Sequence, residues 1–271
     1  MAIVKGALQM TGGIKGVSFY TLGGSDKVIM RTKGGPTKRR MKIGPEFENV
    51  RKHQVEWAAC VMFSRGLKFA LGDVYRLADY NVSPVWNGLG KNIIKTDNEH
   101  IIGERSLLVS SYRDELCGFN LNRNFAFNAV LGVSPRVNVD RETLKATAII
   151  PKINTEHDLL NIRKLPYFRL ILAAGIISDI HFDAANTPSK YIPELGDRNG
   201  VSRSISTDWL SAKDIISESE LTVEIPPYFK DKITEKITFI LSMGIEFGNV
   251  GFGGKIEGVK RAGCSKILAV L

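Results

Sequence analysis

The strongest constraint on the fold is a pair of long apolar runs in the second half of the chain. They are "YFRLILAAGIISDIHF", which starts at Tyr167, and "KITFILSMGIEFG", which starts at Lys236. Both runs are rich in β-branched and aromatic residues and are bounded by polar segments, which is typical of strands that are buried on both faces. They predict the interior strands of a β-sandwich.

The segments around these runs also favour strands. "RVNVDRETLKATAIIP" predicts two strands around a turn at residues 140–143, and "SELTVEIPPYF" predicts a strand that ends at Pro226 and Pro227. "FNLNRNFAFNAVLGV", from Phe119, alternates in the same way. Strands at this density without helices between them predict an antiparallel, Ig-like β-sandwich.

The first part of the chain predicts a β-hairpin. Two β-prone runs, residues 17–22 and 27–32, flank the sequence Gly-Gly-Ser-Asp at residues 23–26. This is the pattern of a hairpin with an exposed four-residue loop.

A helical pattern begins at Pro45, which suits the first position of a helix. Several side chains then recur at helical spacing: Phe47, Val50, Gln54, Trp57, Ala58 and Val61. A second helix is predicted near Ser83, with Trp86, Leu89, Ile93 and Ile94 on one stripe. The predicted fold class is therefore α+β and mainly β, with a hairpin and basic turn (1–44), a helical unit (45–117) and a β-sandwich (118–271).

Positive charge is concentrated in residues 27–52, which we call the basic segment. It holds nine basic residues, namely Lys27, Arg31, Lys33, Lys38, Arg39, Arg40, Lys42, Arg51 and Lys52. Its two acidic residues are Glu46 and Glu48, so the basic segment carries a net charge of +7 against +9 for the whole chain. Such a cluster suits a nucleic-acid phosphate backbone, a contact with acidic protein surface, or a solvated loop.

No complete signature of catalysis, cofactor binding or metal binding occurs in the sequence. The Gly254-Lys255 pair is followed by Ile256, so the phosphate-binding P-loop pattern fails. Neither a G-x-S-x-G motif nor a dinucleotide-binding fingerprint is present, and the cysteines and histidines lack metal-ligand spacing. His181 with Asp179 and Asp183 could share one strand face as a metal or acid–base site, or could be an exposed strand end. We expect no cofactor, no metal and no catalytic residue.

Cysteine usage and hydropathy indicate in which cellular compartment the protein is expected. Cys60, Cys117 and Cys264 are far apart and odd in number, so we expect reduced thiols rather than a disulfide framework. No apolar run reaches the roughly 18 to 20 residues that span a bilayer, and the start of the chain lacks the pattern of a signal peptide. We expect a cytoplasmic protein without a membrane partner.

The sequence resembles a family of uncharacterised Bacteroidota proteins. The resemblance is carried by "VSFYTLGGSDKVIMRTKGG", which contains an R-x-K-G-G basic turn, and by "PEFENVRKHQVEW" after it. Similarity extends to "CGFNLN" near Cys117, to the run at Tyr167 and to the segments "ITFILSMGIEFG" and "CSKILAVL". The resemblance implies this order of elements but no activity, because no function is known for the family.

These observations favour a non-enzymatic structural or interaction protein that associates with itself into a homo-oligomer or filament. Edge strands need a partner or a cover, and docking of unlike surfaces in head-to-tail order gives rings or filaments. The expected contact residues are Phe19, Tyr20, Arg31, Lys33, Lys38, Arg39, Arg40 and Lys42. The acidic counterpart is expected from Asp208, Asp214, Glu218 and Glu220. The alternative is a nucleic-acid-binding protein that uses the basic segment.

Overall fold

A computed structural model describes residues 2–4, 11–22, 27–186, 189–196 and 198–271, with residues 2–4 described at the backbone only. The chain divides into two compact units, Met1–Arg51 and Lys52–Leu271. The second unit contains most of the longest helix and the long strands. The division into 1–44, 45–117 and 118–271 stays a prediction.

The first unit is built on a small antiparallel sheet. Its strands are β1 (Ala2–Val4), β2 (Gly12–Ile14), β3 (Val17–Thr21) and β4 (Val28–Thr32), in the order β1-β4-β3-β2. The predicted hairpin strands are confirmed, while the loop at residues 23–26 lies outside the described residues. A short helix, α1 (Lys38–Ile43), follows the sheet and was not predicted.

In the described part of the chain, three further helices follow α1. A 3₁₀ turn at Pro45–Phe47 leads into α2 (Glu48–Tyr75), which crosses the boundary between the two units. The second unit continues with α3 (Ser83–Ile94) and a single turn, α4 (Phe127–Val130). The helices predicted from Pro45 and near Ser83 are therefore confirmed.

The strands of the second unit form two main antiparallel sheets and two small pairs. The larger sheet contains β8 (Tyr167–Ser178), β11 (Val201–Ser206), β12 (Leu210–Ser211), β15 (Ile237–Val250), β16 (Ile256–Gly258) and β17 (Cys264–Val270). The smaller sheet has the order β14-β6-β5 and consists of β5 (Arg136–Asp140), β6 (Lys145–Ile150) and β14 (Ser219–Glu224). The pairs are β7 (Ile153–Asn154) with β13 (Ile215–Ile216), and β9 (Ile180–Phe182) with β10 (Tyr191–Pro193).

The two apolar runs form the centre of the larger sheet. Strands β8 and β15 pair from Tyr167 opposite Gly248 to Ser178 opposite Ile237. Because side chains alternate along a strand, Leu170 and Leu172 face a core shared with the smaller sheet, while Ile177 faces a core shared with α2 and α3. Both faces of β8 are buried, as its sequence predicted. The fold class, α+β and mainly β with an antiparallel β-sandwich, is confirmed.

Two details differ from the sequence prediction. Helix α2 buries Cys60, Phe63 and Leu67, whereas Trp57 and Val61 of the predicted stripe are each 45% exposed. The buried face is selected by close packing, because a Cβ atom added at Gly175 of β8 would overlap the carbonyl oxygen of Ala70. The alternating segment from Phe119 forms loops and α4 instead of a strand.

Candidate functional site

The hairpin places Phe19 and Tyr20 on opposite faces of the N-terminal sheet. In β3 and β4, Phe19 lies opposite Met30 and Tyr20 lies opposite Ile29. Directly opposed residues of an antiparallel pair share a face, and successive residues do not. The guanidinium of Arg31 lies 5.4 Å from the centre of the Tyr20 ring. A partner on one face of this sheet can therefore contact only one of the two aromatic side chains.

Helix α1 presents four of the predicted contact cations. Thr37 caps the helix by accepting a hydrogen bond of 3.2 Å from the backbone N–H of Arg40. The helix has no acidic residue in its first turn, and none of its residues is buried. The Arg51 guanidinium donates to the carbonyl oxygens of Met41 and Gly44 at 3.0 and 2.8 Å. Arg51 therefore holds the end of α1 in place, while the helix exposes its own cations.

The predicted contact cations are all exposed, namely Arg31, Lys33, Lys38, Arg39, Arg40 and Lys42. The Arg40 Nε atom donates to Glu46 at 2.6 Å. A hydrogen bond from its own backbone N–H, together with the one from Arg40, lowers the pKa of Glu46. The apolar side chain of Ile43, at the end of α1, is 68% exposed. The basic segment therefore combines cations with an exposed apolar residue.

An acidic counterpart with a similar layout exists in the second unit. We call residues 208–220 the acidic segment, and its carboxylates Asp208, Asp214, Glu218 and Glu220 are all exposed. Ile215, between Asp214 and Glu218, is 60% exposed. Among the residues that the structure describes, one ion pair involves this segment, in which Arg136 donates to Glu218 at 3.1 Å. The expected acidic residues are thus accessible around an apolar side chain.

The possible site at His181 is not assembled in the way the sequence allowed. Asp179 is buried, and its carboxylate accepts hydrogen bonds from the backbone N–H and the hydroxyl of Ser110 at 2.8 and 2.6 Å. The His181 Nε2 atom lies 3.1 Å from Glu194 instead. Asp183 accepts from the N–H of Ala185. The three side chains therefore have separate partners, since Asp179 precedes β9 and is held by the chain near Ser110.

His181 also lines a cavity of about 430 Å³ with an aspartate–histidine pair. The Asp97 carboxylate lies 2.8 Å from His100 Nδ1 and accepts the backbone N–H of Ser106 at 2.7 Å. Burial raises the pKa of Asp97, but these hydrogen bonds outweigh burial and lower it overall. The carboxylate ties the loop together and orients the imidazole. Within the described ranges, no group of three His, Cys, Asp or Glu side chains could hold a metal ion.

A buried carboxylate, Glu56 on α2, is the centre of an ion cluster that the sequence did not indicate. It is fully buried and accepts two hydrogen bonds from Arg105, at 2.7 and 2.9 Å, and one from the N–H of Gly103 at 2.9 Å. Lys91 donates to it at 3.3 Å. Burial raises the pKa of Glu56, but the hydrogen bonds from Arg105, Gly103 and Lys91 lower it to about 2. This cluster is saturated with internal partners, so we assign it to stability.

Two buried thiols also belong to the fold. Burial raises the pKa of Cys60 to about 11 and that of Cys264 to about 12. A thiol with such a pKa is protonated at neutral pH and is a poor nucleophile. Cys60 is thus a small buried side chain.

The comparisons with known proteins give no relative. The chain matches no protein-family model, no curated protein and no solved structure at a significant level. Within the part of the chain that the structure describes, no helix has the length and apolar character needed to cross a membrane.

Proposed function

We propose that this chain is a non-enzymatic structural or interaction protein that associates with itself, with the basic segment of one copy docking on the acidic segment of another. One observation carries this proposal: each segment has an exposed isoleucine among its charges, Ile43 in the basic segment and Ile215 in the acidic segment. Protein interfaces combine an apolar centre with a polar rim. Contact with a phosphate backbone needs the charges alone.

The local energetics of α1 support the same proposal. Lys38 and Arg39 occupy the first turn of the helix, where the direction of the backbone dipole is unfavourable for cations. A carboxylate from a partner relieves this unfavourable arrangement, and the acidic segment has exposed carboxylates at Asp208 and Asp214. Because the two surfaces are unlike, the contact is head-to-tail and gives a ring or a filament.

The proposal predicts that charge reversal on either segment weakens assembly and that mixing the two reversed chains restores it. The first variant is Lys38→Glu with Arg39→Glu, which also places favourable charges in the first turn of α1. The second is Asp208→Lys with Asp214→Lys. Light scattering should show each variant smaller than the wild type at low salt, and a mixture of the two should form larger, alternating assemblies.

The matched control is Lys152→Glu with Lys230→Glu, which makes the same charge change at two exposed lysines outside both segments. This control should assemble like the wild type. The proposed contact would be contradicted if a variant with reversed charges in either segment assembled like the wild type. It would also be contradicted if the control variant lost assembly to the same extent.

Nucleic-acid binding is the second candidate, and the exposure of the six cations from Arg31 to Lys42 favours it. Under this alternative, nuclease-treated protein retains added DNA or RNA, and log affinity falls linearly with log salt concentration. Lys38→Glu with Arg39→Glu then abolishes retention. Under the self-association proposal the same variant weakens assembly although no nucleic acid was bound, so one pair of substitutions separates the two candidates.

A further inference from the structure

A fully exposed phenylalanine stands at the tip of the hairpin formed by β15 and β16. The tip consists of residues 251–255, and Phe252 has a relative exposure of 101%. The turn at the tip is closed by a hydrogen bond of 2.7 Å from the N–H of Gly251 to the carbonyl oxygen of Lys255. Gly253 and Gly254 adopt positive φ angles of 75° and 76°, which favour glycine. The tip is thus an ordered turn that holds a phenyl ring in solvent, which is an unfavourable place for it.

The same unit carries a cavity of about 260 Å³ with a mixed polar and apolar lining near the other end of this hairpin. Its apolar lining includes Phe125, Val130, Leu160, Ile162, Leu165 and Phe247. Three of these side chains, Phe125, Leu160 and Ile162, are between 41% and 55% exposed. A cavity of roughly 150 Å³ with aliphatic and aromatic walls holds a benzene molecule. The cavity therefore has the size and the chemistry to take a phenylalanine side chain.

The charges beside the tip and beside the cavity are complementary. A Cβ atom added at Gly251 would lie 2.8 Å from the Glu257 carboxyl carbon, so this carboxylate lies beside the residue that precedes Phe252. Arg163 and Arg261 line the cavity. Arg163 donates to the carbonyl of Lys260 at 3.3 Å. Among the described residues, no ion pair involves Glu257, Arg163 or Arg261. The tip offers an aromatic ring with an anion, and the cavity offers apolar walls with two cations.

We propose that Phe252 inserts into this cavity on a second copy of the chain and that the exchange is reciprocal. The proposal rests on the self-association proposed above and names one contact for it. Full exposure of Phe252 means that the ring does not occupy the cavity of its own chain. Phe247 lines the cavity and lies five residues before Phe252, so at about 3.3 Å per residue the two are at most ~17 Å apart.

This short separation determines the symmetry of the contact. In a head-to-tail assembly, each copy has two neighbours at this site. One neighbour receives its tip and the other fills its cavity, and both would have to fit against the same edge of the copy. A two-fold arrangement avoids that, because one partner both receives the tip and supplies its own. The contact therefore closes a dimer, and the ionic contact between the basic and acidic segments joins such dimers further.

The test is the mass of the full chain by sedimentation equilibrium at about 1 M salt, where a Debye length near 3 Å screens the ionic contact. We expect the wild type to have twice the 30.0 kDa of one chain. Phe252→Ser should weaken dimerisation by at least about tenfold, in line with the loss of one buried aromatic anchor on each side. Ile101→Ser, which alters another exposed apolar side chain (64% exposed), is the matched control and should dimerise like the wild type.

A second variant tests the cavity without touching the tip. Ile162→Arg adds a third cation at the mouth and should weaken dimerisation as Phe252→Ser does. A mixture of the two variants keeps one intact tip-and-cavity pair per heterodimer, so it should associate more strongly than either variant alone. Far-UV circular dichroism spectra of all variants, expected to match the spectrum of the wild type, exclude misfolding.

The outcomes separate this inference from the proposed function. A wild-type dimer that Phe252→Ser leaves unchanged overturns the tip exchange while self-association stands. A wild type that stays a monomer at every concentration, at both low and high salt, overturns both proposals. A mixture no stronger than its components overturns the reciprocal pairing of tip and cavity.

Discussion

At the scale of single residues, Glu56 shows how a polar side chain can be essential to an apolar core. Its carboxylate is fully buried and is bound by Arg105, Lys91 and the N–H of Gly103. Removing one partner from a buried ion cluster leaves an uncompensated charge, which costs about 3–5 kcal/mol. The cluster therefore makes α2 dependent on the loop that contains Gly103 and Arg105.

The pKa of Glu56 gives this cluster a predictable pH dependence. The pKa is lowered from 4.5 to about 2 in the folded protein, so its stabilisation is complete above pH 4.5 and is lost as the pH falls through about 2. A shift of this size corresponds to about 3 kcal/mol. Urea unfolding of Glu56→Gln should show lower stability at pH 7 and a smaller loss between pH 4.5 and pH 2.

The control for this prediction is Glu142→Gln, which neutralises an exposed carboxylate and should keep both the stability and the pH profile of the wild type. If Glu56→Gln instead unfolds along the same pH profile as the wild type, the carboxylate is not the group that titrates.

At the scale of elements, the packing of α2 on β8 is set by glycine. A Cβ atom at Gly175 would overlap the Ala70 carbonyl oxygen, whereas a Cβ atom at Gly88 of α3 would meet nothing within 4 Å. Gly175→Ala should therefore push α2 away from the sheet and lower the free energy of unfolding by about 1–3 kcal/mol or more. Gly88→Ala should raise it by about 0.5–1 kcal/mol, because alanine favours helix.

Thermal or urea denaturation of the two glycine variants checks whether the free energy of unfolding falls in Gly175→Ala and rises in Gly88→Ala. An equal, small effect at both positions would mean that α2 does not lie against β8 as closely as the structure shows.

The sequence predicted the elements better than their contacts. β-branched runs placed β8 and β15, and the turn at Asp140 placed β5 and β6, because these signals are local. The face of α2 was mispredicted, since Val61 and the buried Cys60 are both apolar and only tertiary packing, in which Cys60 lies against Gly90 of α3, distinguishes them. Glu56 could not be recognised as buried, because its partners Lys91 and Arg105 are 35 and 49 residues away.

The contact role expected for the basic and acidic segments stays a prediction. The structure shows that the cations from Arg31 to Lys42 and the acidic residues from Asp208 to Glu220 are exposed. Helix α1 was missed because it is only six residues long and has cations in its first turn. Phe252 was missed because glycines on both sides indicate a turn but do not show whether the ring folds back or faces solvent.

At the scale of the whole molecule, the charge distribution is strongly uneven. The basic segment accounts for +7 of the net charge of +9, so the remaining residues together carry only +2. An exposed anionic partner is therefore attracted to one segment, and added salt weakens that attraction. The tip exchange at Phe252 is mainly apolar and depends much less on salt. Two contacts with different salt responses should therefore be separable in one titration.

The most direct test of self-association is the mass of the nuclease-treated wild type by light scattering at about 0.1 M and about 1 M salt. We expect particles of many 30.0 kDa chains at low salt, which fall to pairs of chains at high salt. A mass of one chain at both salt concentrations would contradict self-association. Nucleic-acid binding would then be the remaining proposal for the basic segment.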